Sequence, residues 1–327
     1  HYNVAHSLLS FEGSPLNFAV MKSTATIETT TVVDSAESEG KSEAQEAVIF
    51  DKTTEKGEEE GLFRACMKSI RNAHKSANRL RSVLVVSGLF TDVKVYREVI
   101  VLFYAATNAM ETRMLALKDE EGDEICDKLL SLGYRFAPQY EKDIKTLYNL
   151  DDDGNNTNAD LKLTVEKVLL KSTDGAKAYI ETIENMSSGT ELAGAAFCLW
   201  GALIIGGGAM AMPRVQSLCG KDACHLFRDV TGPGRSERKT KFIQMFDSLT
   251  KDEKNNDEKK DTNNDDGKSF KFDRIVTTCQ ECMKGNNELM TSVKINPWWL
   301  KYIVSTAVAT VSVVAFYYLP KSQRERT

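Results

Sequence analysis

Two stretches of this 327-residue chain carry no charged side chain for long enough to cross a bilayer, and any fold of the sequence must bury both. The later one, residues 302–320, is rich in Val, Ala, Ile and Phe. Nineteen residues in a helix span roughly 28 Å, close to the hydrocarbon thickness of a membrane. Trp298, Trp299 and Lys301 stand before it, and Tyr317, Tyr318 and Lys321 close it. Aromatic and basic flanks of this kind anchor a helix at membrane interfaces. The expectation is one transmembrane tail anchor over 295–320, inserted after synthesis, and a short basic tail over 321–327, with the body left in the cytosol. A buried C-terminal core helix is the alternative, against which the double Trp and the KSQRER end argue. The earlier stretch, residues 192–213, contains Gly206, Gly207 and Gly208. Glycine inside a helix costs roughly 1 kcal/mol relative to alanine in water. In lipid, small residues mark close helix packing. In a soluble body, such a helix would be buried on all sides and bent at the glycines, its backbone close to something large and flat. The pattern leaves both open.

A net charge of −5 and a pI near 5.6 argue against a nucleic-acid binder, which needs clustered cations on phosphate. Seven cysteines outside any short disulfide scaffold read as reduced thiols. Residues 1–60 form an acidic, Ser/Thr/Glu-rich region, with ten acids and three lysines in 34–60, and are expected to be disordered. The acidity also opposes an organelle presequence, although the numbering begins at His1 and an upstream signal stays open. Polar tracts at 151–160 and 251–268 read as loop insertions. Elsewhere between 61 and 294 the apolar spacing is helical, predicting an all-α body. Its helices are expected at 62–86, ending near Gly88, then from an N-cap at Thr91 to 117, and at 138–149, 161–171, 173–186, 192–212, 239–249 and 272–293.

Four histidines are present. His1 and His6 lie in the N-terminal region and His225 follows a short loop, so His74 alone sits in a strongly amphipathic helix. A lone helical His is ordinarily structural, and exposed helix cations are ordinarily solvated. Residues 74–111, however, resemble without a gap the first two helices of the haem oxygenases. The family's axial His is followed at fixed distances by Ala, an aromatic, Tyr and Glu, matched here by Ala77, Tyr96, Tyr104 and Glu111. The resemblance continues through 140–148, 173–186, 242–250 and 272–290. It thus covers about 61–294, before the anchor that animal-type members also carry. It implies a haem-oxygenase-like multi-helical domain in which 192–212 is the distal helix, buried over haem rather than spanning a membrane.

The resemblance further implies His74 as axial ligand of the haem iron, with Arg71, Lys68 and Lys239 for the propionates and Tyr104 in the pocket. Asn78 stands where the family often has a Glu that orients the imidazole, and Ile243 where it has a further Arg. The implied reaction cleaves haem to biliverdin, CO and Fe2+ with O2 and electrons from NADPH through NADPH-cytochrome P450 reductase. The implied membrane is the endoplasmic reticulum, although the tail also suits the outer mitochondrial membrane. One departure bears on that chemistry. The family's Gly-Asp-Leu-Ser-Gly-Gly carries an Asp that holds a proton-delivering water network, whereas residues 200–208 read WGALIIGGG, with Ala202, Leu203 or Ile204 at the Asp position. Phe197 and Leu199 replace the usual Tyr and Arg. No catalytic side chain is assigned beyond the distal glycines Gly206, Gly207 and Gly208. A catalytically impaired haem-binding or haem-sensing relative is therefore the alternative, and a tail-anchored interaction protein with an unrelated helical body a third reading. A zinc site from Cys279-x-x-Cys282, Cys219-x4-Cys224 and His225 is weakly indicated, since thiols within a helix are commonly just core residues. One internal-helix His does not furnish a di-iron site.

Overall fold

The computed structural model describes residues 61–84, 89–150, 157–206, 208–249 and 266–294, with four further positions at 306 and 309–311. Every regular element among them is helical. In chain order these are α1 (Leu62–Ser69), α2 (Arg71–Leu84), α3 (Val93–Glu121), α4 (Glu124–Ser131), α5 (Ala137–Tyr148) and α6 (Thr157–Lys171). They continue with α7 (Asp174–Glu184), α8 (Gly189–Ile204), α9 (Gly208–Cys219), a 3-10 turn (Lys221–Ala223), α10 (His225–Thr231), α11 (Arg235–Ser248) and α12 (Asp266–Thr291). Region 1–60, the stop near Gly88, insertion residues 151–156 and 251–265, Gly207, and nearly all of 295–327 lie outside the described residues. Among the described residues no helix is long and apolar enough to cross a membrane.

The helix expected at 62–86 is divided at Ile70, but the division is slight. Ile70 stays in the right-handed region, and its N–H bonds to the Cys66 carbonyl while His74 N–H bonds to the Ile70 carbonyl at 2.7 Å. The i to i−4 ladder therefore crosses the junction. The N-cap of α3 is Asp92 rather than Thr91, because its carboxylate accepts from Lys94 N at 2.8 Å. That helix runs past 117 to Gly122, whose φ of 64° ends it in the left-handed cap. Residues 157–160, expected in a loop insertion, form the first turn of α6, and residues 266–268 open α12.

The uncharged 192–213 stretch is two helices, α8 and α9, separated at Ile205 and Gly206. Nearly every side chain of α8 is buried in the protein core. Its glycines serve the chain's own packing. A Cβ on Gly206 would stand 2.6 Å from the Ala202 carbonyl oxygen, and one on Gly208 2.8 Å from that of Leu203. The break, with Ile205 N–H and Gly206 N–H both bonded to the Gly201 carbonyl, accounts for these two glycines without a bound ring system.

The long helix α12 is the common support. It packs on α8, α2, α1 and α7. It approaches α8 closely at Gly194, where a Cβ would lie 2.7 Å from Thr278 Cβ and 2.9 Å from Cys279 N. Cys198 adds a bond from its Sγ to the Cys279 carbonyl at 3.2 Å.

Candidate functional site

His74 lies one turn into α2 and is half-buried. With the ladder continuous through Ile70, positions on α1 and α2 fall at about 100° per residue. Leu62, Cys66, Ile70 and Ala77 form one buried line, turned toward the core. Lys68, Arg71, Lys75 and Arg79 are exposed on the opposite side. His74, Asn78 and Met67 fall on the flank between the two. The flank therefore borders the apolar core on one side and the exposed cations on the other.

Asn78 Nδ2 stands 3.4 Å from His74 Nδ1. A His that ligates iron through Nε2 carries its proton on Nδ1, so Asn78 would then present its amide oxygen instead. The first turn of α2 is held from behind by Asn287 of α12, whose Nδ2 donates to the Ala73 carbonyl at 3.3 Å. Asn287 Oδ1 is buried and has no hydrogen-bond partner among the described residues.

Lys239 is half-buried on α11. That helix lies against α1, where the Phe242 ring is 6.4 Å from that of Phe63 and Asp247 accepts from Phe63 N at 2.9 Å. Lys239 therefore belongs to the element adjoining the helix that carries Lys68. Ile243 of α11 is half-buried against the hydrophobic core. Tyr104 sits on α3 beside Glu141 of α5, and burial first, then that carboxylate, pushes its phenol up to about 12.

The wall contributed by α8 is apolar and aromatic. Phe197 and Trp200 join Phe63, Tyr134, Phe136, Phe242 and Phe246 in one ring cluster, with Phe242 and Phe246 centroids 4.8 Å apart. At the end of α8, Ala202 is exposed while Leu203 and Ile204 are buried, so no carboxylate stands at any of the three positions. Glu111, matched by spacing alone in the sequence, proves to be a structural clamp. It is buried and accepts from Phe136 N at 2.8 Å, Ala137 N at 3.3 Å and Trp200 Nε1 at 3.2 Å, with Arg135 Nε at 3.5 Å. It thereby ties α3, the start of α5 and α8 together.

The cysteine motifs are core packing. Cys279 and Cys282 are buried in α12, Cys224 donates to the Gly220 carbonyl, and no metal-ligating cluster occurs among the described residues. Asp143, which the sequence did not single out, is buried and caps α10 by accepting from His225 N at 2.6 Å and Leu226 N at 3.1 Å. His225 is thereby engaged through its backbone at a helix start.

No protein-family model matches the chain, and no curated protein matches it. Solved structures do. The chain is similar to haem oxygenase 2 from Chlamydomonas reinhardtii, solved without haem, at 19% identity and a TM-score of 0.55, over 72% of this chain and 99% of that one. It is similar to haem oxygenase-1 from the cyanobacterium Synechocystis, solved in complex with haem, at 16% identity and a TM-score of 0.50, over 77% of this chain and 99% of that one. At such identities the likeness establishes architecture: the described body has the all-α fold of the haem oxygenases.

Proposed function

We propose that this chain binds haem on a haem-oxygenase scaffold, with His74 as the axial ligand. The observation that carries the reading is the position of His74, half-buried between the core-facing line of α2 and a row of exposed cations. Both that helix and the apolar distal helix α8 rest on α12. Arg71, Lys68 and Lys239 supply cations for the two propionates. Asn78 orients the imidazole, and the aromatic wall of α8 excludes water. When bound, the haem would supply the oxygen and electron-transfer chemistry that the side chains lack.

The specific observation at 202–204 favours binding or sensing over ring cleavage. Ala202, Leu203 and Ile204 have no group to hold or move a proton where cleavage requires one. The likeness to solved haem oxygenases supports the cleavage reading, with biliverdin, CO and Fe2+ as products and electrons from NADPH through a cytochrome P450 reductase. An absorbance titration of the full chain with hemin tests binding, and incubation of the complex with reductase and NADPH tests turnover. A stable complex without biliverdin supports the binding reading; biliverdin formation at rates typical of an enzyme overturns it in favour of cleavage.

The body is further proposed to be tethered by a tail anchor over 302–320 to the endoplasmic reticulum or outer mitochondrial membrane. The support is the uncharged stretch and its aromatic and basic flanks. Resistance of membrane-associated full chain to alkaline carbonate is the expected result, and complete extraction would contradict it.

A further inference from the structure

Between residues 64 and 79 the chain carries five cations, Arg64, Lys68, Arg71, Lys75 and Arg79, and no acid, although its net charge is −5. Their spacing of four, three, four and four residues is that of one helix face. Because the hydrogen-bond ladder crosses Ile70, the five form a single line about 22 Å long on the side opposite the buried line of Leu62, Cys66, Ile70 and Ala77. Lys68, Arg71, Lys75 and Arg79 are exposed and Arg64 is half-buried. The two propionates of a haem occupy only part of such a line. The remainder fits an extended anionic surface.

Two observations favour a lipid surface over an acidic protein. Met67, beside Lys68, is 40% exposed, an apolar side chain next to a cation, as at a headgroup boundary. The second is where the chain leaves the body. Asn287 of α12 touches Ala73 of α2, α12 ends at Thr291, and the described body ends at exposed Lys294. The uncharged 302–320 thus follows in sequence a helix whose last two turns touch α2 through Asn287 and which is followed by Ser292, bonded to Thr173 at the start of α7.

We infer that the cationic line of α1 and α2 lies against anionic lipid headgroups of the membrane that receives the tail. This rests on the anchor reading above. Each cation held at an anionic surface contributes about a fivefold gain in partition. The contact is screened by salt over a Debye length of about 10 Å at 0.1 M.

The test is lysine acetylation of the full chain prepared without haem, so that no propionate holds Lys68, quantified residue by residue by mass spectrometry, with vesicles of phosphatidylcholine alone or with added phosphatidylserine. The expected result is a severalfold loss of reactivity at Lys68 and Lys75 on anionic vesicles only, reversed by salt, with exposed Lys118, at the end of α3 remote from Glu98 and Lys294, unchanged. The double variant Lys75→Glu/Arg79→Glu should return Lys68 to its reactivity on neutral vesicles, while carbonate resistance stays as in the wild type. Equal Lys68 reactivity on both vesicle types, in a chain that resists carbonate, overturns the lipid contact and leaves the anchor standing. A chain stripped by carbonate overturns the anchor reading, and the acetylation pattern then decides the line by itself. Protection by soluble polyglutamate but not by anionic vesicles assigns the line to an acidic protein surface and overturns the inference.

Discussion

The side-chain amide of Asn287 donates to the main-chain carbonyl of Ala73 at 3.3 Å, so α12 grips the turn of α2 from which His74 projects. The bond joins residues 214 positions apart in sequence and fixes α2 against the element that also supports α8. Replacing it with Asn287→Ala should cost about 1 kcal/mol of stability, the usual net value of one such bond. The same variant should weaken hemin affinity severalfold while leaving the haem spectrum intact, because the ligand itself is unchanged. A shifted spectrum would place Asn287 in the ligand shell instead.

Gly194 permits the tightest crossing of α8 and α12. Since a Cβ there would meet Thr278 Cβ at 2.7 Å and the Cys279 backbone nitrogen at 2.9 Å, the two helices must separate to admit it. Gly194→Ala should destabilise the protein by about 1–3 kcal/mol, as overpacking of a core typically does. Gly122→Ala, where nothing lies within 4 Å but φ is +64°, should cost about 1 kcal/mol from backbone strain alone. Thermal unfolding of both variants checks the ranking.

Glu111 gives a pH signature. Burial raises its pKa above the ordinary 4.5, outweighing the N–H groups of Phe136, Trp200 and Ala137 and the Arg135 guanidinium, which lower it. The folded state therefore binds this proton more tightly than the unfolded chain does. The stabilisation is fully present below the unfolded pKa and is lost as pH rises through the folded one. Burial shifts Asp143 in the same direction. Stability should fall as pH climbs from about 4.5 toward neutrality. Glu111→Gln, which does not titrate, should flatten that fall. Denaturant midpoints across the range test this, and an unaltered slope would contradict it.

All seven cysteines are free, and six are buried. The half-buried Cys219 is pushed up to about 11, by burial first and then by Cys224. At pH 8 only on the order of one Cys219 in a thousand is the reactive thiolate. Native protein should therefore react slowly with iodoacetamide and only at Cys219, whereas unfolded protein reacts at all seven. Rapid alkylation of several thiols in the native state would contradict this packing.

Much of the helical framework was legible in apolar spacing, because buried helices such as α5 and α7 repeat their core residues every three to four positions. Helix ends were less so. Thr91 and Asp92 are both good caps, and only the bond from Lys94 N to Asp92 decides between them. The short helices α4 and α10 escaped because about two turns display too little periodicity. In α8, burial on every side erases amphipathic contrast, so the break at Ile205 and Gly206 was hidden within one uniform apolar run. At the site, the flank position of His74 follows from helical spacing. Its supports do not: Asn287 to Ala73 and Glu111 to Trp200 are contacts that only the tertiary fold creates.

Haem ligation by His74 is open to direct spectroscopic test. Titrating the full chain with hemin, alongside His74→Ala and Asn78→Ala, tests it most directly. The expected result is a saturable Soret shift in the wild type, its loss or displacement in His74→Ala despite an unchanged helical circular dichroism spectrum, and affinity lowered about tenfold in Asn78→Ala. A Soret band identical in wild type and His74→Ala, or none in the folded wild type, would contradict it.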